Sequence, residues 1–287
     1  MINISFTSNL KYNLKQYFEK VFLDAGLFTN IHKTDVFYTS DNPSILQKYG
    51  DTYESVANEW VYEQDVVDIS GKEVPINVSG VYIDDVFHAN DSVTYVPKPD
   101  YLRGRYTFTT SPPESSVIQA EFSYKDCKID FVDSKINNIL RTQYIGNPDY
   151  NTLNPHPSGL DRLLPVAILE PTARGFNPKQ IGGGKIIREY VSILIYSAKD
   201  YERDAIGDEI YNKVRSVIRA VDYNDAPEIL NYEGDRSSSY KTYTQMQSDH
   251  FWTNVYIDDA NIIERELLNN MIFMTRIDLL LKIYLNS

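Results

Sequence analysis

Apolar residues along the chain switch between two periods, and the switches predict the elements. Over residues 9–25, Leu10, Leu14, Tyr17, Phe18 and Val21 recur at helical spacing, with Ser8 or Asn9 placed to cap the start and Gly26 the end. Over 51–64, Tyr53, Val56, Trp60 and Val61 suggest a short helix. Between 68 and 132 the pattern shortens to β-prone runs at 74–78, 80–87, 92–96, 105–109, 116–124 and 128–132, broken by Pro97, Pro99, Gly104 and Pro112-Pro113. Runs at this spacing predict a small antiparallel sandwich or barrel. Ile118, Ala120, Phe122 and Tyr124 alternate onto one face of the 116–124 run.

The second half opens with an Asn/Pro-rich loop over 133–162, then a strand at 164–170 and a further loop to Arg188. Residues 190–196 read as a β-branched and aromatic strand. A polar turn leads from it into an amphipathic helix carrying Ile206, Ile210, Val214, Val217 and Val221. A polar loop over 222–248 and a strand at 251–257 follow. From Phe273 to Leu285 most apolar residues hold odd positions, with Leu280 and Tyr284 on the even face, predicting a long terminal strand over 271–285. The expected fold is α+β. Helices pack on a mainly antiparallel sheet in a discontinuous domain, 1–67 and 133–287, with an all-β sandwich- or barrel-like insertion at 68–132.

Composition narrows the function. The 287 residues suffice for a real core, and 42% hydrophobic with 24% charged residues is globular composition. The net charge of −12 argues against tight binding to nucleic acid, which needs basic side chains to neutralise phosphate. It does not oppose loose passage of DNA through a pore. The 23 tyrosines fit either extensive interfaces or AT-rich coding. A single cysteine, Cys127, fits a reducing compartment. The N-terminal residues lack signal-peptide character, and no apolar run is long enough to span a membrane.

Candidate chemistry is sparse. Gly182-Gly183-Gly184-Lys185 departs from a phosphate loop: position 179 is Lys where a Gly is needed, and Ile186 replaces Ser or Thr. His32, His88, His156 and His250 form no local metal motif. Asp84-Asp85 and Asp258-Asp259 are paired acids after β runs, explained by turns and strand ends or by an acid/base pair. Cys127, between Lys125 and Lys128, has no partner histidine in sight. No catalytic residue, cofactor or metal site is expected.

Three segments resemble virion structural proteins of tailed phages, in the neck or tail region. SNLKYNLKQYFEKVF is similar to the leading helix of tail-terminator-like proteins. YVSILIYSAKDYERDAIGDEIYNKVRSVI is similar to their strand followed by a long helix. The segment from Gly80 to Asp126, with YLRGRYTF and VIQAEFSYK, resembles a β module of phage structural proteins. The resemblance implies a non-enzymatic ring, with a hexamer favoured, that caps the tail tube or joins tail to head. Its partners would be further copies of itself and tube, sheath or head-completion proteins, with DNA only passing through the lumen and no membrane. It would be assembled in the host cytoplasm into the virion. A hexamer would multiply the charge of each chain sixfold, so an acidic lumen would repel DNA. The basic residues Arg174, Lys179, Lys185 and Arg188 are expected to meet a neighbour's Glu202, Asp208 and Glu209 across the ring interface. Helix residues Arg203, Lys213 and Arg215 are expected on the same outer side. Two other readings remain open. One is a binding module using Tyr101, Tyr106 and Tyr124 to recognise a carbohydrate or host surface; the other is a hydrolase with paired carboxylates.

Overall fold

A computed structural model describes residues 5–33, 38–39, 52–55, 57–67, 73–134, 137–138, 140, 164–178, 185–268 and 272–285. The fold is α+β. Its elements run α1 (Phe6–Asp24), β1 (Phe28–Ile31), β2 (Tyr38–Thr39), β3 (Thr52–Glu54), β4 (Gly80–Ile83), β5 (Val86–Ala89), β6 (Pro97–Asp100), β7 (Arg105–Phe108), β8 (Ile118–Ala120), β9 (Phe122–Lys125), β10 (Lys128–Phe131), β11 (Val166–Pro178), β12 (Lys185–Ser197), α2 (Asp200–Tyr211), β13 (Val217–Val221), α3 (Tyr243–Asp249), β14 (Phe251–Leu268) and β15 (Ile272–Leu285). They form two compact units. One comprises Met1–Ala25, Cys127–Ala226 and Tyr243–Ser287; the other comprises Gly26–Asp126 and Pro227–Thr242.

The first unit is built on a six-stranded sheet in the order β10-β11-β12-β15-β14-β13. Only β10 with β11 is parallel; the other four pairings are antiparallel. The predicted terminal strand lies at its centre, with Ile193 opposite Ile277 and Val191 opposite Leu279. Its odd residues Ile277, Leu279, Leu281 and Ile283 are buried, as their alternation requires. Helix α1 starts a turn earlier than expected, because Ser5 caps it by accepting the Ser8 N–H at 3.2 Å. Gly26 follows its end as predicted. On the buried side of α1, Asn13 grips the end of β13: its Nδ2 donates to the Val221 carbonyl at 2.9 Å, and its Oδ1 accepts the Val221 N–H at 2.6 Å.

Four expectations fail here. The helix predicted to reach Val221 stops at Tyr211. Arg215 then takes a φ of 69° and Val217–Val221 becomes β13. The same residues also alternate at period two, and pairing with β14 buries Ile218 and Ala220, which the helical reading had not used. The loop expected between 170 and 189 contains the outer halves of β11 and β12, paired from Arg174–Glu189 to Pro178–Lys185. Residues 251–257 are only the first part of an 18-residue strand. Within the polar stretch 222–248 the short helix α3 also forms. Most of the predicted 133–162 loop and Gly182-Gly183-Gly184 lie outside the described residues.

The second unit is built from short strands: a four-stranded sheet β2-β3-β7-β6, a three-stranded sheet β5-β4-β8 and the pair β1-β9. It extends beyond the predicted 68–132 segment at its start, and β10 belongs to the other unit. Among the described residues of the 51–64 segment, no helix forms. Thr52–Glu54 pairs with β7, and the Trp60 and Val61 amides bond to Tyr101 and Ser123. Partners on both flanks hold this segment extended and bury Tyr53, Trp60 and Val61. Residues 74–78 and 92–96 form no ladder. The 80–87 run folds back on itself at Asp84-Asp85, whose φ values of 47° and 69° make the two-residue turn of the β4–β5 hairpin. The core of this unit is aromatic, with Trp60 stacked 4.7 Å from Phe122 and 5.4 Å from Tyr106.

Candidate functional site

The residues expected at a ring interface fall in different places within the first unit. Arg174 on β11 faces Glu189 on β12. Its Nε lies 2.6 Å from Oε2 and its Nη2 3.2 Å from Oε1, a two-pronged ion pair. The same guanidinium donates to Thr7 at 2.9 Å and lies over the Phe6 ring. It therefore fastens the β11–β12 hairpin to the start of α1. Arg188 is half-buried. Lys179 lies outside the described residues, as does the side chain of Lys185, the first residue of β12. Glu202 accepts from Ser197 at 2.7 Å and from Lys199 at 2.9 Å, closing the turn between β12 and α2. Asp208 is exposed and Glu209 half-buried on α2. Arg203 is not on the outer side as predicted. It is buried over the Phe273 ring and paired with Asp204 at 2.9 Å. Lys213 and Arg215 lie in the turn after α2 rather than on it.

The second unit holds a polar site that the sequence reading missed. Its centre is Asp100, buried at the end of β6, opposite Arg105 at the start of β7. Asp100 Oδ2 accepts from Arg105 Nε at 3.0 Å and from Arg103 Nη1 at 2.9 Å, and Oδ1 accepts the Arg103 N–H at 3.2 Å. Two glycines make this possible. A Cβ on Gly104 would stand 2.0 Å from the Ala57 carbonyl, and one on Gly234 would stand 2.2 Å from Asp100 Oδ1. Beside the pair, a cavity of about 180 Å³ is lined by Lys98, Thr107, Phe108, Thr109 and Glu233 as well. Lys98 and Glu233 face each other at 3.9 Å. Both signs of charge are matched within the site. Its lining offers hydroxyls and ion pairs for a small polar guest or water, with no cysteine or histidine among the lining residues.

A second buried pair joins Lys125 Nζ to Glu63 Oε1 at 2.6 Å, with the ammonium over the Tyr62 ring. Only a charged residue inside each β run, the arginine in RYTF and the lysine in FSYK, signals these pairs in sequence. The partner of Lys125 comes from a distant segment and could not be read there. The tyrosines expected to present a binding platform do not do so: Tyr101 and Tyr106 are buried, and burial pushes the Tyr101 hydroxyl up to about 12. Tyr124 is half-buried.

The paired acids do not converge. Asp84 turns the β4–β5 hairpin, and the Val117 N–H it accepts holds its carboxyl below the ordinary range. Asp258 sits at a break in the β14–β15 register and pairs with Lys282 at 2.7 Å. Cys127 is buried. Among the described residues, no three His, Cys, Asp or Glu side chains gather in a way that could hold a metal ion, and no helix is long and apolar enough to cross a membrane. No protein-family model matches the chain, and no curated protein matches it.

Proposed function

We propose that this chain is a structural component of a tailed-phage virion: a terminator or connector ring of the neck or tail, joining the tail tube or sheath to the head. The observation that carries this reading is the packing of α1 with the β12–α2 unit. These are the two segments that resemble tail-terminator-like proteins; β12 is a strand of one mainly antiparallel sheet, and both helices pack against strands of that sheet. Gly207 of α2 rests on Ile195 of β12 and Ile277 of β15. Arg174 ties the far end of the same sheet to α1. The ion pairs Arg174–Glu189 and Lys125–Glu63 and the Glu202 contacts in the β12–α2 turn hold elements of the fold together, which suits an assembly part. The acidic balance suits a lumen that DNA passes without sticking.

The test is immunogold labelling of tailed particles with an antibody to this chain, beside particles made without its gene. Label at one station between head and tail, and loss of head–tail joining without the gene, are the expected results. Normal tailed particles in the absence of the chain would overturn the proposal. The competing carbohydrate-binding reading has lost its aromatic platform, because Tyr101 and Tyr106 are interior residues.

A further inference from the structure

The six-stranded sheet is staggered. On one side β10 covers β11 only over Val166–Leu169. On the other, β13 covers β14 only over Phe251–Tyr256. Among the described residues, no strand pairs with the outer edge of β11 over 171–178 or of β14 over 258–268. These two stretches lie at opposite ends of the sheet. Arg174 is in line with Glu189, Leu281 and Ile257, whereas 261–268 lie beside the other half of β15. Both edges carry outward apolar side chains: Phe176 is 62% exposed on β11, and Ile263 and Leu267 are 57% and 53% exposed on β14. A long edge of this kind is a template for another strand.

We infer that the outer edge of β11, residues 172–177, pairs with the outer edge of β14, residues 258–265, of a second copy of this chain. Three observations select this occupant. First, the polarity fits. Three antiparallel steps separate β11 from β14, so they run in opposite directions. A copy rotated about an axis along the strands presents an antiparallel partner, and the stagger is taken up as strand tilt. Second, the charges are complementary. By sequence, 258–268 holds Asp258, Asp259, Glu264 and Glu266 against Arg265, and with Lys282 pairing Asp258 the stretch still stays net acidic. The outer half of the β11–β12 hairpin holds Arg174, Lys185 and Arg188 against Glu189. Two copies of the same edge would oppose like charges; one of each attracts. Third, Pro171 and Pro178 bracket the β11 edge, and a proline cannot donate to a ladder, so the pairing window is short and its register limited. Two different patches on each copy make a head-to-tail contact, the kind that closes rings.

This deepens the ring reading by naming the contact, but it stands or falls separately. The full chain is followed by sedimentation velocity over a concentration series, beside Phe176→Asp and Ile263→Lys. Each substitution places like charge against its partner edge. Wild type should associate, each variant alone should stay monomeric, and an equimolar mixture should associate again, because one junction is intact and the other sets Asp against Lys. A monomeric wild type, a variant that associates like wild type, or a mixture that stays monomeric would overturn the inference. If a variant does not fold, hydrogen exchange of the wild type decides. Amides of 172–177 and 258–265 must slow as the chain associates, and unchanged exchange refutes the contact. A chain that pairs by these edges yet is missing from tailed particles would overturn only the proposed function. A chain located at the neck whose edges stay open would overturn only the inference.

Discussion

The two units solve the same problem with different materials. The first has four strands of 13 to 18 residues, stacked with Ile, Leu and Val. Long ladders pair most backbone groups along their length, and aliphatic side chains need only alternate. The second has strands of four residues or fewer, and its core is Trp60, Tyr53, Tyr62, Tyr101, Tyr106, Phe108 and Phe122. Short strands bury little area each, so large rings span between sheets. Buried polar contacts then fix what the ladders leave loose. The Tyr62 carbonyl accepts from Arg236 twice and from Tyr240 once, joining the 227–242 segment to the unit. Part of the tyrosine richness therefore has an interior explanation. A short-strand unit depends on individual contacts, whereas a long-strand unit depends on whole strands.

The largest test removes a whole strand. Deleting the residues after Arg276 takes Ile277, Leu279, Leu281 and Ile283 from between β12 and β14, at about 1.5–3 kcal/mol each. The first unit should not fold, and its amides should lose protection from exchange. A cooperative melt of that unit in the truncated chain would break the comparison. Next is Trp60→Ala, expected to cost the second unit about 3–5 kcal/mol. The chain has two tryptophans, Trp60 in one unit and Trp252 in the other, so fluorescence separates the responses. A shifted Trp252 transition would show that the units do not melt independently.

Lys125→Met leaves Glu63 buried without its ammonium, at a cost of about 3–5 kcal/mol. Adding Glu63→Leu should recover most of it in urea unfolding; no recovery would mean that Lys125 acts chiefly through packing. Arg174→Gln removes a partly exposed guanidinium but leaves an amide that can still donate to the buried Glu189 carboxylate, so it should cost only about 1 kcal/mol. A loss as large as that of Lys125→Met would erase the contrast.

The smallest effect is acid titration, where the units carry groups of opposite sign. Burial raises the Asp235 carboxyl in the second unit. Between its unfolded value, about 3.9, and the raised folded value, the native state holds the extra proton, so this group's contribution falls as pH rises. Asp278 in the first unit is opposed by burial, but hydrogen bonds from Arg276 and Ser192 hold it below the ordinary value. Its contribution is present above about 3.9 and is lost as pH falls through the folded value. Asp235→Asn and Asp278→Asn should therefore change the pH slope of the Trp60 and Trp252 melts in opposite senses. Slopes of the same sign would contradict this.

Local patterns determined α1 and the alternation of β15 and of Ile118, Ala120 and Phe122, because a period is a property of a few neighbours. The same patterns misread 51–64 and 214–221, where apolar residues suit both periods and only the neighbouring strands select one. The polar site at Asp100 was illegible for a related reason. Its arginines are local, but the cavity also needs Gly234 and Glu233 from a segment more than a hundred residues away. By itself the sequence determined the α+β class, the acidity and the lack of a reactive motif. The tertiary structure alone decided which residues form the second unit, which charges are buried and which strands pair. Those are properties of pairing between distant segments, and no local period carries them.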